Sequence, residues 1–149
     1  MAWIISGGPA DLVSAALDRL DYIADAYLTV GTPVALAASR LTSSAAALHH
    51  AIAERCRANL ATLRRAAKDH PAVSVPRVGG GWSVVVRLPA VLDDEELALR
   101  LLTQQGVAVQ PGFFFDLPYD SALVLSLLTP EAAWRRGLEA IFDTVESLI

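Results

Sequence analysis

Apolar residues at Leu12, Ala16, Leu20, Ile23 and Tyr27 recur every three to four positions, which places them on one face of a helix. Pro9 at a first helical position and Asp11 in the first turn fit its start, where a missing N–H is tolerated and an acid meets the positive end of the dipole. A short strand is expected before it, from Trp3 to Ser6, and Thr29 to Pro33 interrupts the pattern after it. A second helical tract starts near Pro33 and continues, with or without a kink at Thr42-Ser43-Ser44, to a stop at His70-Pro71. Along its later part Leu48, Ile52, Cys56, Leu60 and Leu63 form one stripe, while Arg55, Arg64, Arg65 and Lys68 lie mostly to the polar side.

From Ala72 the pattern becomes that of strands. Val73 to Val75 and Trp82 to Leu88 flank a turn at Gly79-Gly80-Gly81, so they predict an antiparallel pair. Asp93-Asp94-Glu95-Glu96 places acids at the start of a helix through Gln105, and Gly106 stops it. Val107 to Gln110 and Ala122 to Leu128 predict two further strands, separated by a loop from Pro111 to Asp120. Thr129-Pro130-Glu131 reads as N-cap, first-position proline and first-turn acid of a last helix with Trp134, Leu138, Ile141, Val145 and Leu148 on one face. The expected fold is α/β of the α+β type: long N-terminal helices, then a ββαββα small domain whose mainly antiparallel sheet is covered by helices.

Composition changes this picture in one respect. Apolar residues make up 54% of the 149 and the mean hydropathy is +0.42. The most apolar stretch, Ala122 to Leu128, is nonetheless far shorter than the ~18 to 20 residues of a bilayer span. The excess therefore implies surface built for a partner rather than a membrane. A net charge of -4, with no basic run longer than two residues, argues against nucleic acid. Residues Met1 to Ile5 lack the features of a secretory signal, which implies a cytoplasmic protein.

Side-chain chemistry is sparse. Cys56, the single cysteine, sits in an apolar stripe and reads as a small core residue. His49 and His50 are adjacent on a helix and point about 100° apart, unlike a chelating pair at i and i+4. His70 reads as a helix C-terminal residue facing the dipole, and Asp93 to Glu96 as a solvated helix start. Gly79 to Gly81 leads into a strand, whereas phosphate cradles lead into a helix. No Gly-x-Ser-x-Gly elbow occurs.

Several segments taken in order carry a resemblance. Gly106-Val107-Ala108-Val109-Gln110-Pro111-Gly112-Phe113 is similar to a "G-V-x-V-x-P-G-x-x-F" segment, and Leu123 to Leu127 with the last helix to an "h-R-h-S-h" strand and its helix. Pro76 to Leu88 is similar to a "P-x-G-G-x-F-h-h-h" strand pair, Trp3-Ile4-Ile5 to a "G-W-h" strand, and Thr29 to Pro33 to the small-residue crossing before a long interdomain helix. Together they resemble the C-terminal part of the fold-type I, pyridoxal-phosphate-dependent aminotransferases of class I/II.

The resemblance implies pyridoxal phosphate in the parent protein and an amino acid or keto acid as its substrate. It implies that residues 1–45 pack on a large domain and begin the interdomain helix, and that residues 46–149 form the long helix and small domain. Gly80, Gly81 and Trp82, with Pro111, Gly112, Phe113 and Phe115, would line the substrate entrance, and surfaces meant for a large domain imply a homo-oligomer.

Two departures qualify it. The family's Schiff-base lysine belongs upstream of the Trp3 strand, and the only lysine here is Lys68, which reads as solvated. One lysine serves as both amine and proton shuttle in transamination, so this chain alone is expected to be inactive and to bind no cofactor. The arginine that clamps the substrate carboxylate falls at Val124, so either Arg87 or another arginine substitutes, or the parent binds something other than a plain α-amino acid carboxylate, or its clamp is built differently. The plain reading of Arg87 is a strand residue facing solvent. Other readings are a ligand-sensing, aminotransferase-like domain of a winged-helix regulator and a stand-alone oligomerisation module.

Overall fold

A computed structural model describes residues 4–27, 30–119 and 121–149. The chain divides into two compact units, one up to Ala47 and one from Leu48 to Ile149. The first holds α1 (Ala10–Ala26) and α2 (Thr32–Ser44). Pro9 is the N-cap of α1 rather than its first residue, and no residue of either helix is buried. The α1 stripe stays largely in water, with Leu12, Ile23 and Tyr27 all exposed. Ile4 to Ser6 carry no strand. A strand needs a ladder partner, and none is supplied to them; Trp3 and Thr29 lie outside the described residues.

The helical tract, read with or without a kink at Thr42-Ser43-Ser44, is interrupted at one residue, Ala45, which keeps right-handed helical dihedrals. Thr42, Ser43 and Ser44 each turn a hydroxyl back onto a carbonyl one turn earlier, at 2.7 Å, 2.6 Å and 3.0 Å, and such back-bonding weakens a helix. Ala45 caps α2, and α3 runs from Ala46 to Ala66. It ends four residues before the expected stop, the chain turning through Lys68 and Asp69 to Pro71. Burial rises along its stripe, from exposed Leu48 through half-buried Ile52, Cys56 and Leu60 to fully buried Leu63.

The second unit is built on a three-stranded antiparallel sheet in the order β1-β3-β2: β1 (Ser83–Arg87), β2 (Gln110–Pro111) and β3 (Ala122–Ser126). The expected strand at Val73–Val75 reduces to a single bridge between Ser74 and Arg87, since Pro76 has no N–H to extend a ladder. The expected strand at Val107–Gln110 shifts to Gln110–Pro111, at the sheet edge where a proline is tolerated. Between β1 and β2 lies α4 (Asp94–Gln105), capped by Asp93, whose Oδ1 accepts from Glu95 N–H at 2.9 Å, and closed by left-handed Gly106. The final helix, α5 (Glu131–Glu146), has Pro130 as its N-cap. Thr129 does not cap it; its hydroxyl instead donates to Ser126 O at 2.9 Å.

Val84 and Val86 of β1 and Leu123 and Leu125 of β3 point to one face, where Leu63, Leu97, Leu101, Trp134, Leu138 and Ile141 from α3, α4 and α5 cover them. Asn59 secures this layer. Its Nδ2 donates to Leu127 O at 2.9 Å and to Thr129 O at 2.8 Å, while its own carbonyl accepts from Trp134 Nε1 at 2.9 Å. His70 does not serve the α3 dipole as expected. Its Nδ1 meets Glu146 Oε1 at 2.6 Å and its ring lies 4.4 Å from that of Phe142, fastening the chain after α3 to the last turns of α5.

Asn59→Ala strands two buried carbonyls, and urea denaturation should show a loss of about 2 to 4 kcal/mol with an unchanged slope.

Candidate functional site

Alternation along the strands leaves the second sheet face to Ser83, Val85 and Arg87 of β1, Gln110 of β2, and Ala122, Val124 and Ser126 of β3. Core residues Trp134, Leu138 and Ile141 of α5 border the open space beside it. Side chains of different chemistry stand together on this face. An open groove of about 1070 Å³ runs beside it, bordered by Trp82, Val107, Val109, Val124, Ser126 and Gly137.

Arg87 stands at one end of this face. Its backbone is paired with Ser74 on one side and faces Ala122 on the other, so its side chain has one direction to take. The guanidinium lies 4.5 Å from the centre of the Tyr119 ring, a cation–π contact that fixes a long side chain while leaving its donors to solvent. Val124 faces Val85, two residues along, which makes it the diagonal neighbour of Arg87 on the same face. Val124 is itself only 8% exposed and presents no polar atom.

The sequence-predicted entrance residues fall into two groups. Gly80, Gly81 and Trp82 precede β1 at the Ser83 end; the turn is exposed, Gly81 holds φ +81, and Trp82 is 59% exposed. Arg87, Pro111, Gly112, Phe113 and Phe115 gather at the other end, around Ala122 and Leu123. Four strand residues, Ser83 to Val86, separate Trp82 from Arg87, about 16 Å along β1.

The loop after Pro111 is ordered as a 3-10 turn, Gly112–Phe115. A Cβ on Gly112 would fall 2.9 Å from Ala122 Cβ and 3.0 Å from Ala122 O, so only glycine lets the turn lie this close to β3. Asp94 reaches the same spot. Far from facing water with the rest of the acid run, it is 7% exposed, and its Oδ2 accepts from Phe113 N–H at 3.0 Å. Sequence reasoning missed this role, because one buried acid among four looks identical to its solvated neighbours.

The chain's own residues do not fit a pyridoxal phosphate site. Lys68 is exposed in the turn after α3, and the glycine turn at 79–81 leads into β1 rather than a helix N-terminus that could cradle phosphate. No group of three potential metal ligands occurs among the described residues.

No protein-family model matches the sequence, and no curated protein is a significant match to it. Solved structures do match. A PLP-dependent aminotransferase from Streptococcus suis superposes with a TM-score of 0.72 at 20% identity, covering 96% of this chain and 37% of that one. An aspartate aminotransferase from Thermotoga maritima gives 0.67 at 20% identity over 92% and 34%. A methionine aminotransferase from Escherichia coli gives 0.63 at 21% over 91% and 35%. The likeness is one of fold: these residues adopt the fold of part of a PLP-dependent aminotransferase, in line with the C-terminal resemblance in the sequence. The chain spans about a third of the length of the structures it matches.

Gly112→Ala should cost about 1 to 3 kcal/mol through overpacking against β3. Gly79→Ala, with nothing within 4 Å of the added carbon, should stay within about 0.5 kcal/mol; thermal unfolding of both variants checks the contrast.

Proposed function

We propose that the chain is the C-terminal, small-domain part of a pyridoxal-phosphate-dependent aminotransferase. In this reading it closes over a cofactor held by a large domain elsewhere in a longer protein and helps to choose the amino or keto acid substrate. The observation that carries it is the likeness over 96% of this chain to about a third of an aminotransferase. The lysine, the partner for the pyridine nitrogen and the phosphate donors would come from the large domain, and pyridoxal phosphate would supply the electron sink for the amino-group transfer.

Residues 1–45 would pack on that domain. The unburied apolar residues of α1 and α2, among them Leu12, Ile23 and Leu36, support this, because isolated amphipathic helices of this length gain most of their stability from packing. Gly80, Gly81 and Trp82 at one end of the open sheet face, and Pro111, Gly112, Phe113 and Phe115 at the other, would border the entrance. Arg87 would take the substrate carboxylate in place of the arginine missing at Val124, since its guanidinium shares that face and is held by Tyr119. The regulator and stand-alone oligomerisation readings draw no support from the structural likenesses.

Spectroscopy tests the reading. Added to this chain alone, pyridoxal phosphate should form no lysine aldimine band; the longer protein encoded by the uninterrupted reading frame should form one. An aldimine at Lys68 of the isolated chain, or a longer protein that binds no cofactor, would count against it.

In the longer protein, Arg87→Ala should raise KM for a keto acid by about tenfold or more, the loss of one charge-assisted pair, with Arg87→Lys in between. Steady-state kinetics with each variant gives the comparison.

A further inference from the structure

The aromatic turn at Gly112–Phe115 is held far more firmly than its own side chains require. Phe113, Phe114 and Phe115 are 47%, 64% and 47% exposed, and none belongs to the core. Phe113 and Phe114 pack edge to face with centres 4.6 Å apart, so much of their contact is with each other. The backbone beneath them is fixed at three points. Gly112 is buried against Ala122, Asp94 accepts from Phe113 N–H at 3.0 Å, and Asp116, left-handed at φ 48, returns its N–H to Phe113 O at 3.2 Å.

Asp94 is the costly member of this set. It is a carboxylate withdrawn from water on the first turn of α4, where the helix dipole offsets part of the penalty. Its Oδ2 also stands 3.1 Å from the point a Cβ on Gly112 would occupy, so the acid and the glycine are fitted to each other. A loop that merely connected β2 to β3 would need neither.

We infer that Asp94 is a positioning residue: it holds the 112–115 turn so that the phenylalanine rings stand ready for the apolar side chain of an amino or keto acid. This rests on the aminotransferase reading for its ligand but not for the anchor itself. The acid acts through Phe113 and touches no reacting atom.

Two measurements test it. In this chain, amide hydrogen exchange of Asp94→Ala should speed up at Phe113 by about tenfold or more, as expected when a hydrogen bond to a charged group is lost. Asp94→Asn keeps an acceptor oxygen and should stay within about threefold of the parent. Amides of Leu138 in α5 and Val84 in β1 should not change in either variant. Equal acceleration at all three places would make Asp94 a general stabiliser and overturn the inference, as would an unchanged Phe113.

In the longer protein, Asp94→Ala should lower kcat/KM for phenylpyruvate relative to pyruvate, through KM, and Asp94→Asn should restore it. A ratio that stays constant while Phe113 exchange rises also overturns the inference. A longer protein that forms the aldimine but accepts neither keto acid overturns the role of the rings, whereas one that binds no cofactor refutes the aminotransferase reading, and the exchange result still decides whether Asp94 anchors the turn.

Discussion

Asn59 ties α3 to the stretch from Leu127 to Trp134, 68 to 75 residues further along the chain. Both hydrogens of its amide are used, on Leu127 O and Thr129 O, and its main-chain oxygen receives the indole N–H of Trp134. Those bonds pin α3 to the connection between β3 and α5 and fix the depth at which Trp134 enters the core. The arrangement carries a cost, since Asn59 Oδ1 is buried without a partner among the described residues. In return, the tight turn after β3, whose carbonyls face α3, is held in place, and β3 ends at a defined point. Everything on the open face of the sheet inherits its place from the register of β3 with its neighbours.

The sheet then separates two tasks by parity. Positions 84, 86, 123 and 125 belong to the core and accept only apolar residues. Positions 83, 85, 87, 122, 124 and 126 lie on the other side. Along β1 this split is visible as an alternation in exposure, with Val84 and Val86 buried and Ser83 and Arg87 exposed. Along β3 it is concealed, because four residues in a row are buried. Val124 owes its burial to a position between Val85 and Gln110 rather than to the helical layer.

Much of this was legible in the sequence where one local signal decided the outcome. Gly106 ends α4 because it readily accepts the left-handed conformation required there, and the stripe of α5 anticipated buried Trp134, Leu138, Ile141 and Val145, though not Phe142 or Thr144. The short edge elements were misplaced where the outcome depended on a partner. Ile4 to Ser6, Val73 to Val75 and Val107 to Val109 all have strand composition, yet pairing is decided by what lies alongside and by the prolines at 76 and 111. The residues proposed for the entrance form a set through resemblance alone, and their division between the two ends of β1 was not legible. Asp94 and Asn59 were not legible at all. Each is an ordinary polar residue on a helix, and its role is set by a residue 19 or 68 positions away.

The pairing of Arg87 with Ala122 has a wider consequence. Side chains on neighbouring strands that share a face project into the same space, so a charge lost from β3 can be replaced from β1 without disturbing a single core residue. Under the proposed reading, carboxylate binding would then belong to a region of surface rather than to one strand position. Two proteins could keep the same architecture and the same anion-binding capacity while agreeing at few positions.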